Sequence, residues 1–214
     1  MRATLASVYT RLLNALALYL AQPVKRHSPA PTPEPQDLAA VLVPGDVLLT
    51  DGNTRMAALV RRVTRSAWSH VAMHVGPVEC GPDPLCIVEA DVALGVRAMR
   101  LSELKGLRVR VLRRRGLDDT QRRRLADWVV SRIGGQYDLA HALALARRLL
   151  GLPLASRLAP MPVAMAQSAT RFICSTLLAQ AFLLMGHPVV PDHSYVLPRD
   201  FETASVLEPV PTSQ

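Results

Sequence analysis

The chain has 214 residues, half of them hydrophobic and only 4% aromatic, with a formal charge of +8 at pH 7. That length supports one well-buried domain and excludes two of ordinary size, and the scarcity of aromatics calls for a core of Leu, Val and Ala. Its cysteines, Cys80, Cys86 and Cys174, are too few for a disulfide scaffold and lack C-x-x-C zinc spacing, while no apolar run reaches the ~18 residues of a membrane span.

At the N-terminus, LLNALALYLA (residues 12–21) follows Arg2 and Arg11, as in a weak signal-peptide core. Against that, Leu5, Tyr9, Leu12, Leu13, Leu16 and Leu20 recur at helical spacing, with Ser7, Thr10, Arg11 and Asn14 gathered elsewhere. This spacing predicts an amphipathic helix over 1–21 that docks on the domain or lies on a membrane surface. Prolines at 23, 29, 31, 33 and 35 predict an extended linker over 22–36, so the domain proper is expected over 37–214.

VLLT (47–50) reads as a strand entered through the turn Pro44-Gly45-Asp46, and 54–65 as a helix. Further strands are expected over 70–76, 85–90, around Val96 and over 109–112. A helix over 118–133 has Asp at its cap, and another over 137–151 is closed by Gly151. Residues 152–170 are rich in Pro and Ala and read as loop. The last helix opens at Cys174 and ends near Gly186. This order predicts an α+β domain with a small, mainly antiparallel sheet packed against helices.

Alternation along the strands puts His70, Ala72 and His74 on one face and Glu89 on a face with Leu85 and Ile87. If 76 pairs with 83 across the Pro- and Gly-rich PVECGPD, then 70 pairs with 89. Their Cβ atoms would stand about 5 Å apart, suiting a general base and its orienting carboxylate. A thiol at a helix N-terminus, as at Cys174, gains thiolate character from the helix dipole. The apolar stripe Leu177, Leu178, Ala181, Phe182 and Met185 would anchor that helix from behind. His74 is about 13 Å along the strand from His70, too far to share one metal or one base, and reads as structural. Cys86 faces away from Glu89 in this register and reads as core. Cys80 and Cys86 bracket GPDPL; free thiols are the default, and an oxidising compartment would allow a bond. Each residue also has a plainer reading: an inert buried thiol, a surface histidine, an exposed strand charge.

Taken together, PGDVLLTDGNTRMAALVRR, SAWSHVAMHVG, VEADVALGV, YD and FICSTLLAQAF resemble the circularly permuted papain-like hydrolases of the NlpC-type superfamily, in the YiiX- and YebB-like branch. The resemblance runs from about 43 to 201, including the closing PRDF. It implies a permuted papain-like fold, with His70 as base, Glu89 as third member and Cys174 as nucleophile. It also implies supporting places for Tyr137 and Ser175. Two departures stand near the site: Thr176 where the family often has an acid, and His74 where an aromatic is common. No cofactor and no metal are implied.

The chemistry expected is acyl transfer on a peptide, small-molecule amide or lipid ester, through a thioester. A catalytically inactive binding module of the same fold is the alternative. Arg61, Arg62, Arg65, Arg113–Arg115 and Arg122–Arg124 point to an acidic partner, with an anionic membrane surface favoured. Nucleic acid is disfavoured because the two arginine triplets carry no interleaved aromatics for base stacking. A cytoplasmic or inner-membrane-peripheral location is expected, with export as the alternative.

Overall fold

The computed structural model describes residues 2–24, 33–149, 171–190 and 196–212, so the expected loop over 152–170 lies outside the described residues. The strands are β1 (Val47–Thr50), β2 (His70–His74), β3 (Leu85–Asp91), β4 (Gly95–Arg100), β5 (Val109–Arg114), β6 (Gln136–Tyr137), β7 (Arg171–Phe172) and β8 (Leu207–Pro209). Six of them form one sheet in the order β4-β3-β2-β1-β5-β8, every pairing antiparallel. Strands β6 and β7 form a short parallel pair beside it. The helices are α1 (Arg2–Ala21), α2 (Pro35–Val41), α3 (Arg55–Thr64), α4 (Asp119–Val130), α5 (Leu139–Leu149), α6 (Cys174–Leu184) and α7 (Pro198–Thr203). The fold is mixed, an antiparallel sheet packed against helices, as the pattern of elements predicts.

Both faces of the sheet are covered, which explains why its central strands read as unbroken apolar runs. On one face Val47, Leu49, Val71, Met73 and Val88 join Leu125 and Val129 of α4 and Leu177, Leu178 and Phe182 of α6. On the other, Leu48, Ala72, Ile87 and Val111 pack under Leu38 of α2 and under Leu101 and Leu104 of a 3-10 turn. Helix α2 starts inside the proline-rich segment that reads as linker. Pro35 at its first turn lacks an N–H that would be unpaired there anyway.

Local signals set most boundaries. The Thr54 hydroxyl accepts from Ala57 N–H to start α3, and Asp118 and Gln121 cap each other's backbone at the start of α4. Gly45 adopts φ +88° in the turn before β1, a left-handed conformation that favours glycine. The next residue, Asp46, is fully buried. Its carboxylate accepts from Arg113 Nε at 2.8 Å and Nη2 at 2.7 Å, fastening β5 to the turn. Three members of the expected basic surface are therefore partly structural. Arg113 grips Asp46, Arg122 stands 4.0 Å from it, and Arg61 donates to the carbonyls of Asp51 and Gly52.

Helix α1 docks through its last turns. Leu16, Ala17 and Leu20 pack with Met56, Leu59, Val60, Leu139 and Leu143 of α3 and α5. Leu12, expected in the same stripe, is instead 64% exposed. The expected contacts of Leu5, Tyr9 and Leu13 fall on side chains outside those described. Among the described residues no helix is long and apolar enough to cross a membrane. Cys80 and Cys86 are both free, Cys80 exposed and Cys86 buried.

Candidate active site

His70 is the first residue of β2, at the end of the strand beside the start of α6. The register differs from the one expected. Met73 pairs with Val88 and His74 with Ile87, which carries on to set Ala72, not His70, opposite Glu89. The reason lies in the connection: Val75 N–H donates to Cys86 O and Val78 N–H to Leu85 O, so these bonds close it in place of a 76–83 pair. A two-residue slip preserves the face. His70 and Glu89 become diagonal neighbours, and their side chains span the diagonal: His70 Nε2 lies 2.7 Å from Glu89 Oε2. A bulge of β3 against β4, between Leu85 and Ile87, puts Cys86 in one cluster with Ile87, buried in the core as expected but not on the opposite face.

Glu89 is held from its other side by a residue the sequence reading did not single out. Arg97 of β4 pairs directly with Glu89 across the strands, and its Nε and Nη2 reach Oε1 at 2.9 and 2.8 Å. Arg97 Nη1 is itself held by Glu103 Oε2 at 2.9 Å. The signal was present: a tight β3–β4 turn closing at Asp91 and Gly95 forces 89 opposite 97.

Cys174 opens α6, preceded by Ile173 in extended conformation, and its side chain hydrogen-bonds His70. With Nε2 facing Glu89, this leaves Nδ1 for the sulfur. Burial pushes the thiol up, but the His70 charge and hydrogen bond, with backbone N–H groups of Val71 and Ser175, bring it below its ordinary value. Burial pulls the imidazole down, yet the charges of Cys174 and Glu89 hold it well above its usual range. Burial likewise raises Glu89, and the opposing charges of His70 and Arg97 win, lowering it to about 2. The arrangement therefore favours a thiolate–imidazolium pair backed by a carboxylate.

Tyr137 stands at the end of β6, paired with Phe172, and lines the same cavity as Cys174. Burial, then the negative charges of Cys174, Asp91 and Asp138, push its phenol well up, so it keeps its proton as a donor. Ser175 is buried, and its hydroxyl donates to Val196 O at 2.6 Å, tying α6 to the segment before α7. The Thr176 hydroxyl accepts from Ile173 N–H at 3.2 Å, satisfying a helix-start donor. His74 is buried beneath the sheet near Asp46, and burial lowers its pKa, making it a neutral core residue.

Cys174, His70 and Glu89 open onto a cavity of about 280 Å³. The walls given by α3 and α5 are mainly apolar, with Met56, Leu59 and Val60 from α3 and Ala142, Leu143 and Leu145 from α5, while Thr50, Asn53, Asp91 and Arg97 add polar lining elsewhere. Among the described residues no group of three or more His, Cys, Asp or Glu is arranged to hold a metal ion.

Residues 41–147 match the model of the permuted papain-like amidase enzymes, the YaeF/YiiX, C92 family. The chain belongs to this family. The match takes in His70, Glu89, Arg97 and Tyr137 and stops before Cys174. The fold agrees with a solved structure, titled as the metalloprotein yiiX from Escherichia coli O157:H7. The TM-score is 0.59 at 17% identity, over 81% of this chain and 98% of that one. No curated protein matches the sequence. As a permuted papain-like amidase-family chain, it places its histidine and carboxylate strands before the cysteine helix. Packing of α6 on β2 brings the cysteine helix against the histidine strand.

Proposed function

We propose that this chain is a thiol-dependent hydrolase of amide or ester bonds, with Cys174 as nucleophile, His70 as acid and base, and Glu89 as orienting carboxylate. The observation that carries this reading is the imidazole held between the sulfur and the carboxylate, with Nε2 2.7 Å from Glu89. The Cys174 thiolate adds to the substrate carbonyl carbon, and the C=O electron pair moves to oxygen as an oxyanion. Collapse breaks the bond to nitrogen or oxygen, and the His70 imidazolium gives its proton to the leaving group. Water then attacks the thioester as neutral His70 accepts its proton, and collapse releases a carboxylic acid and the thiolate. Tyr137, protonated and beside the sulfur, supplies a hydrogen bond to the oxyanion.

The apolar walls of α3 and α5 support an acyl group that is itself apolar, since a polar one would lose its water partners there without replacement. The test is turnover of fatty-acyl amides and esters against short polar peptides, with wild type and Cys174→Ala. Thiol-dependent release of long acyl chains supports the reading, and equal turnover by the variant sinks it. A binding module of the same fold is distinguished by iodoacetamide. Fast labelling of Cys174 at neutral pH, slowed about 100-fold in His70→Ala, marks the hydrolase. Labelling of both at an ordinary thiol's rate marks the binder.

A further inference from the structure

Helix α1 carries two apolar faces, and the fold covers one. Leu16, Ala17 and Leu20 pack on the domain, whereas Leu12 and Leu18 are each 64% exposed and Tyr19 is 50% exposed. At 3.6 residues per turn Leu12, Ala15, Leu18 and Tyr19 fall on one outward stripe, with Arg11 among them and Asn14 at its edge, all exposed. Cations border this stripe. The Arg55 guanidinium lies 4.3 Å from the Tyr19 ring centroid and donates to its hydroxyl at 2.8 Å. Arg62, exposed, falls on the Arg55 stripe of α3 two turns on. The sequence adds Arg2, Lys25 and Arg26 and no acid before Glu34.

We propose that the outward face of α1, with Arg11, Arg55 and Arg62, is a docking surface for an anionic lipid bilayer. Apolar side chains ringed by arginines, on a helix without acids, fit the boundary between headgroups and acyl chains. A second copy of this chain would bring the same positive charges face to face, and charge complementarity therefore selects a negative partner. No helix among the described residues is long and apolar enough to span, which leaves α1 lying in the plane of the surface. The inner face of α1 rests on Met56, Leu59, Val60 and Leu143, which also line the active-site cavity. A bilayer on the outer face thus lies about one helix diameter, roughly 10 Å, from that apolar space. The docking surface stands on geometry and charge independently of the proposed chemistry.

The test is sedimentation of the full chain, its N-terminus verified by intact mass, with phosphatidylglycerol and phosphatidylcholine vesicles. Binding is expected only to phosphatidylglycerol and weaker with rising salt. It should fall about fivefold in Arg62→Gln and be lost in Leu12→Glu/Leu18→Glu. Among the described residues neither leucine belongs to a packed apolar cluster, so circular dichroism and Cys174 labelling should remain as in wild type. Absence of phosphatidylglycerol binding with Leu12 and Leu18 intact overturns the proposal. So does lipid-free self-association that the double variant abolishes, which assigns the face to a second copy.

Discussion

At the site, His70 is charged because two neighbours want it charged. Replacing Glu89 by Gln removes one of them, and burial then draws the imidazole down. The thiolate loses its cation, so iodoacetamide labelling of Glu89→Gln should be slower at pH 6–7 and rise only toward the ordinary thiol range. Glu89 also makes stability depend on pH. Its carboxyl is lowered from 4.5 to about 2 on folding, so its contribution is fully present above pH 4.5 and lost as pH falls toward 2. That contribution is on the order of 3 kcal/mol, and urea denaturation of Glu89→Gln should show a flatter acid limb. Arg97 acts through Glu89. In Arg97→Ala the carboxylate loses two of its fixed donors, and turnover should drop about tenfold with KM little changed. Arg97→Lys should recover part of that loss, because a point charge replaces a two-pronged grip.

Elements are set chiefly by their ends. Asp118 and Gln121 form a reciprocal cap on α4 and neither lines the Cys174 cavity, so Asp118→Ala should lower stability by about 1 kcal/mol in urea denaturation and leave labelling of the thiol untouched. Cap and turn residues such as Thr54, Asp118 and Gly45 are local, so they are legible in the sequence, and α3, α4 and β1 fall within a residue or a few of their expected bounds. The same locality explains the failures. Helix α2 is short and held by Leu38 meeting the far side of the sheet, a contact no window of sequence contains. The β2–β3 register depended on how the long connection over 75–84 closes, and hydrophobic alternation cannot distinguish a slip of two.

For the whole molecule, one apolar cluster joins α4, α6, α7 and the sheet, with Phe182 and Phe201 fully buried in it. Phe182→Ala should cost about 3–5 kcal/mol by cavity formation, read as a lower denaturation midpoint. Because α6 carries Cys174, the same substitution should also weaken the sulfur–imidazole contact and slow labelling. A purely local defect would not do so. The hairpin of β3 and β4 is locked similarly: at Gly95, φ +76°, a Cβ would lie 2.2 Å from Gly135 O.

By itself the sequence determined the helix and strand inventory near the site, the shared face of His70 and Glu89, and the cysteine at a helix start. These follow from periods of two and 3.6 and from capping chemistry, all carried by neighbours in the chain. Only the tertiary structure decided that Arg97 completes the carboxylate's grip, that the register is diagonal, and that several arginines serve the fold rather than the surface. It also decided that α1 turns Leu12 outward. Those depend on which distant segments meet, and that is settled by packing summed over the whole core rather than by any local preference.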